Sequence, residues 1–126
     1  MLRLAELGRA GSPAEITGPL VVGRIRAIEE LPNLKKPVRY AHVDTGDEHV
    51  RGIVCAATNF VEGDLVVVAL PGTSFGSGLT IEARTTYGRL SEGMMCSPRE
   101  LGVSDDHSTI LVLPAGSASP GDTVSP

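Results

Sequence analysis

Aromatic side chains are nearly absent from this chain: tryptophan does not occur, and Tyr40, Phe60, Phe75 and Tyr87 make up the whole 3%. Proteins that hold single-stranded nucleic acid without sequence preference stack successive bases on aromatic faces, and this chain lacks the material for an extended platform of that kind. Folded RNA read by its shape is the form of nucleic acid compatible with such a composition. Cysteine is scarce as well. Cys55 and Cys96 lie far apart in apolar or turn contexts, and with no secretory leader the expectation is a pair of free thiols in a reducing cytoplasm. No Cys-x-x-Cys or similar spacing joins them to His42, His49 or His107, so no metal site is expected. A nucleophilic role for Cys96 with Asp106 and His107 is rejected, because the spacing supplies neither a neighbouring base nor a positive dipole. No apolar run approaches the roughly 18 residues that a membrane-spanning helix needs, so the chain is expected to be soluble and to have no membrane partner. Excess positive charge is also missing: 11 Lys and Arg against 15 Asp and Glu leave a net charge of −4. General attraction to phosphate is thereby excluded, and any nucleic-acid role has to rest on a local basic patch. Gly72 to Gly78 has glycines but neither the lysine nor the following helix of a phosphate-binding loop. ATP binding is not expected of this segment, and no cofactor is assigned to it.

What is present is turn-forming residues and short apolar runs. The 126 residues suit one domain, and 15 glycines with nine prolines favour short strands over long helices. Residues 1–17 read as a leader or edge strand. Leu20 to Ile28 alternates with period two, placing Arg24 and Arg26 on one face. Pro32, Asn33 and Pro37 break the strand in a loop that carries Lys35 and Lys36. Val38 to Asp44 resumes as a strand with Arg39, Ala41 and Val43 on one side; a hairpin around Gly46 leads to Val50 to Cys55. Ala56 to Glu62 reads as a short helical turn or loop, and Leu65 to Leu70 as a strand buried on both faces. Leu79 to Arg84 alternates with Leu79, Ile81 and Ala83 inward. Ile110 to Leu113 is the last strand, and residues 115–126 have the Pro, Gly and Ser content of a linker. The expected fold is all-β: a small closed barrel of five to six strands over residues 18–114, with one or two short helical segments.

The most informative stretch runs from Tyr87 to Gly102, with Gly88, Gly93, Ser91-Glu92, Met94-Met95 and Cys96 between two strand-like runs. The glycines mark sharp turns or close backbone approach, and the methionines suit irregular core gaps. Taken with Val21-Val22-Gly23-Arg24-Ile25, Pro32-Asn33, Val43-Asp44-Thr45-Gly46, Ile53 to Asn59 and Val67 to Gly72, this stretch resembles the tRNA-binding domain near the N-terminus of the bacterial phenylalanine–tRNA ligase β chain. The resemblance implies an oligonucleotide-binding-fold barrel acting as a non-catalytic tRNA-binding module. It also implies a longer parent enzyme that joins phenylalanine to its tRNA with ATP and magnesium, and, as partners, tRNA, an α chain and further β-chain domains. In that setting Ser91, Glu92, Gly93 and Met94 match the family's Ser-x-Gly-Met motif.

The residues then expected to face RNA are Arg24, Arg26, Asn33, Lys35, Lys36, Arg39, Arg84, Arg89, Ser91 and Glu92. The plainer reading of the basic members is a solvated face balanced by Glu29, Glu30, Asp47, Glu48 and Glu82, and of Ser91 either a cap for a short helix at Pro98 to Leu101 or a brace for its own turn. The chain departs from the family at Leu31 to Pro37, where relatives carry a His-Pro-Asn-Ala-Asp-Lys-Leu-like stretch. The alternative function is a structural docking module of the same enzyme that does not contact RNA.

Overall fold

The computed structural model describes residues 2–3 and 15–125, and the part of the leader expected at residues 4–14 lies outside them. Twelve strands are described: β1 (Leu2–Arg3), β2 (Ile16–Thr17), β3 (Leu20–Glu30), β4 (Arg39–Asp44), β5 (Arg51–Cys55), β6 (Leu65–Ala69), β7 (Ser74–Phe75), β8 (Arg84–Thr86), β9 (Arg89–Ser91), β10 (Met94–Met95), β11 (Val112–Leu113) and β12 (Val124–Ser125). The main sheet has the order β10-β6-β3-β4-β5, with β11 also pairing β6. The open ends of that order approach each other. Gly52 of β5 accepts a backbone hydrogen bond from Glu92 at 2.8 Å, just before β10, so the sheet curls into a nearly closed barrel.

The alternation of β6 divides the core in two. Val66 and Val68 point into the barrel with Ile25, Ala41, Val43, Ile53, Phe60, Met95 and Ile110. Leu65, Val67 and Ala69 point the other way, into a second cluster with Leu20, Val22, Phe75, Ile81, Cys96, Leu101, Leu113 and Val124. A strand covered on both faces has no position for a polar side chain, which is why residues 65–69 form an unbroken apolar run.

Several expectations change in detail. No helix occurs among the described residues. Ala56 to Glu62 takes the loop form of the two expected and is fastened by a long-range clamp, in which the Asn59 side chain donates to the Ile110 carbonyl and accepts from the Ile110 N–H, both at 3.0 Å. Pro98 to Leu101 makes turns only, stopped by Gly102 at φ 73°. The residue that caps these turns is Ser97 rather than Ser91: Glu100 accepts from the Ser97 N–H at 2.8 Å while its own N–H reaches the Ser97 hydroxyl at 3.3 Å. In the run Leu79 to Arg84 only Ile81 is buried, and the strand there begins at Arg84. Residues 115–125, expected as a linker, instead close over β3: Val22 donates to the Asp122 carbonyl, Gly121 donates to that of Val22, and Val124 is buried. Composition marks turns well, but it does not reveal that a single apolar residue, Val124, has a place in the core.

Gly93 sits where β10 meets β6, at φ 147°, and a Cβ there would lie 2.9 Å from the Ala69 carbonyl oxygen. Backbone on both sides leaves that oxygen no room to move. Gly93→Ala is therefore expected to destabilise the fold by roughly 1–3 kcal/mol, the usual cost of such backbone strain, read as a lower midpoint in urea unfolding.

Candidate nucleic-acid interface

The expected RNA-facing residues fall on the middle of β3, the loop of residues 31–38, the first residue of β4, and the β8–β9 hairpin with Glu92 directly after it. Four anchors hold the hairpin to the barrel. The Tyr40 hydroxyl donates to the Leu90 carbonyl at 2.7 Å. The Ser91 hydroxyl accepts from the Val54 N–H at 3.0 Å, which makes it a brace between β9 and β5. The Glu92 N–H binds Gly52, as described above, and the Arg89 guanidinium grips Glu29 through two parallel hydrogen bonds of 3.1 and 2.7 Å. Gly52 is needed for the first anchor, because a Cβ there would occupy the space of the Tyr40 phenol.

Ion pairing sorts the basic set. Arg26 stands at a register slip in β3, between Ile25 opposite Val43 and Ala27 opposite His42, and reaches Asp44 at 3.1 Å. Arg39, on the same side of β4 as Ala41 and Val43, turns inward. It meets Glu30 at 3.0 Å, donates to the Phe60 carbonyl at 2.6 Å and lies 5.0 Å from the centre of the Phe60 ring. Only 17% of its side chain is exposed, so its charge is spent on joining β4 to the Phe60 loop. Arg84 lies 3.8 Å from Glu82 in solvent. Among the described residues, Arg24, Lys35 and Lys36 of the candidate set form no ion pair, and both lysines are exposed. Asn33 turns the lysine loop at φ 63°, a left-handed conformation that asparagine tolerates. Glu92 places its carboxylate 3.5 Å from His49 Nε2.

Sequence reasoning on spacing alone does not assign a role to Tyr40 or Tyr87. Tyr40 packs edge-on against His42 with ring centres 5.1 Å apart. Tyr87 is 57% exposed at the hairpin tip. The signal available for Tyr87 was the Tyr-Gly pair between two short β-prone runs. Burial pushes the thiols of Cys55 and Cys96 up, away from the thiolate that a nucleophile or metal ligand requires.

Comparison with known proteins places this geometry. Residues 20–123 match the family described as "Putative tRNA binding domain". The chain is 63% identical over 106 residues to the phenylalanine–tRNA ligase β subunit of Mycolicibacterium paratuberculosis, covering 84% of this chain and 13% of that protein. It is 56% identical over 112 residues to the same subunit of Thermobifida fusca, covering 86% of this chain and 14% of that one. The chain thus spans about an eighth of the length of these curated relatives. Among solved structures it is similar to the CsaA chaperone protein of Picrophilus torridus, with a TM-score of 0.59, 13% identity and coverage of 85% of this chain and 91% of the other. It is also similar to the C-terminal domain of Plasmodium vivax p43, with a TM-score of 0.59, 20% identity and coverage of 83% and 58%. At these identities the two structures support the barrel fold alone.

The Arg89 hydrogen bonds, the largest influence on Glu29, hold its carboxyl below the ordinary value of 4.5. A carboxyl lowered in the folded state adds stability above its unfolded value and loses it as the pH falls through the folded one. Arg89→Gln should therefore raise the Glu29 titration midpoint in an NMR pH series. An unchanged midpoint would mean that the pair does not form in solution.

Proposed function

The chain belongs to the tRNA-binding-domain family, in the form carried by phenylalanine–tRNA ligase β subunits, and we propose that it is the non-catalytic tRNA-contacting module of such a subunit. The observation that carries this reading is the match over residues 20–123, which spans every candidate residue from Arg24 to Glu92. In the parent enzyme, ATP and magnesium serve chemistry outside this module, an α chain and further β-chain domains are its partners, and the cytoplasm is its compartment. No helix among the described residues is long and apolar enough to cross a membrane.

The mechanism is electrostatic docking at the rim of the barrel. A chain with net charge −4 repels phosphate at long range, so contact is confined to places where positive charge is uncompensated. Lys35 and Lys36 project from the loop between β3 and β4, and Arg24 sits half-buried in β3. Such contacts to sugar and phosphate set position and orientation without reading sequence. The ion-paired arginines hold the shape of that rim.

The test is a titration of the chain with phenylalanine tRNA and one unrelated tRNA at low and moderate salt. Binding should weaken steeply with salt, and Lys35→Glu/Lys36→Glu should lower the slope of log affinity against log salt by about 1.5, as expected for two lost phosphate contacts. No binding to either tRNA at low salt would overturn the reading in favour of a docking module.

A further inference from the structure

We propose that Tyr87 is a stacking surface for one unpaired nucleotide whose phosphate is held by Lys35 and Lys36. This inference rests on the RNA reading above and assigns it a contact.

The β8–β9 hairpin turns through two residues, Tyr87 at φ 51° and Gly88 at φ 76°, closing on the pair Thr86 and Arg89. Positive φ at both central positions defines the tight turn whose twist suits a β-hairpin, and its first position strongly prefers asparagine, aspartate or glycine. A bulky aromatic there is disfavoured by its backbone, so local folding does not account for the tyrosine. Core packing does not account for it either, because the ring is 57% exposed. It belongs to a chain with four aromatic residues, of which Phe60 and Phe75 are buried and Tyr40 is committed to Leu90.

Tyr87 shares a cavity of about 340 Å³ with Leu34, Lys35, Lys36 and Val38. The cavity therefore brings together one aromatic residue, two aliphatic residues and two lysines whose ammonium groups have no carboxylate partner among the described residues. A nucleotide offers the complement of each part: a flat π face, an apolar sugar edge and an anionic phosphate. An acidic peptide would leave the aromatic face unused, and an uncharged apolar ligand would leave the lysines unused. The tip is pre-positioned, since Arg89 is clamped to Glu29 and Leu90 to Tyr40 on either side of the strand that follows it. One such residue is too little for an extended single-strand platform but sufficient for a single unstacked base of a folded RNA.

The decisive variant is Tyr87→Asn, because it moves stability and binding in opposite directions. Asn-Gly is the preferred pair for this turn, so the melting temperature should hold or rise. Affinity for an oligouridylate of about ten nucleotides at low salt should fall on the order of tenfold, as for loss of one stacked base. Tyr87→Phe, which keeps the ring, should bind like the unaltered chain, and a blunt RNA duplex should bind equally to all three proteins. Undiminished oligouridylate binding by Tyr87→Asn would overturn the stacking role while leaving the RNA reading intact. Failure of the unaltered chain to bind either oligouridylate or tRNA would overturn both.

Discussion

The 11 residues of β3 hydrogen-bond to four different segments, and the barrel depends on that division. Leu20 to Arg24 pair with β6 on one edge, while the segment around Asp122 occupies the other edge at Val22. From Arg24 onward β4 takes over, and Ile25 also exchanges backbone bonds with Gly63 and Asp64. A flat strand cannot serve two sheet neighbourhoods at an angle to each other, and the unpaired Arg26 supplies the local bend and added twist that a bulge provides. Phe60 and Met95 then complete the interior on one side, and Leu113 and Val124 cover the other.

Charge is distributed on the same plan. The bulge points Arg26 at Asp44, the end of β3 presents Glu29 to Arg89, and Glu30 meets Arg39 across the first pair of β4. Exposed pairs of this kind add little to stability. They also neutralise most of the arginines near the barrel rim, so that the remaining positive charge of the candidate set lies on Lys35, Lys36 and the half-buried Arg24. A net acidic protein thereby keeps a confined basic spot, consistent with selective contact and without general affinity for polyanions.

Much of this was legible in the sequence. The period-two runs marked β3 and β4, and the unbroken apolar run marked β6; the parity of Val38 to Asp44 put Arg39 on the side of Ala41 and Val43, although its charge set it among the residues expected to face RNA. The bulge was hidden because no glycine or proline marks Arg26. The long-range contacts were hidden for another reason: Arg89 and Glu29 are 60 residues apart, and Asn59 and Ile110 are 51 apart. Only the closed barrel brings them together. Ser91 and Ser97 show the limit of motif reasoning, since both precede a glutamate at a suitable distance for some local role. Their surroundings decide: Ser97 faces the free N–H groups of a turn, and Ser91 faces the edge of β5.

The pairing of β1 with β12 has a mechanical consequence. The two strands run parallel, Leu2 beside Val124 and Arg3 beside Ser125. A force that separates the two ends of the chain draws β1 backward and β12 forward along a common axis. Their hydrogen bonds are then loaded in shear and share the strain, whereas an antiparallel pair pulled at one end would open like a zip. A short strand pair at the point of entry and exit thus acts as a clasp, shielding the barrel from tension transmitted along the polypeptide.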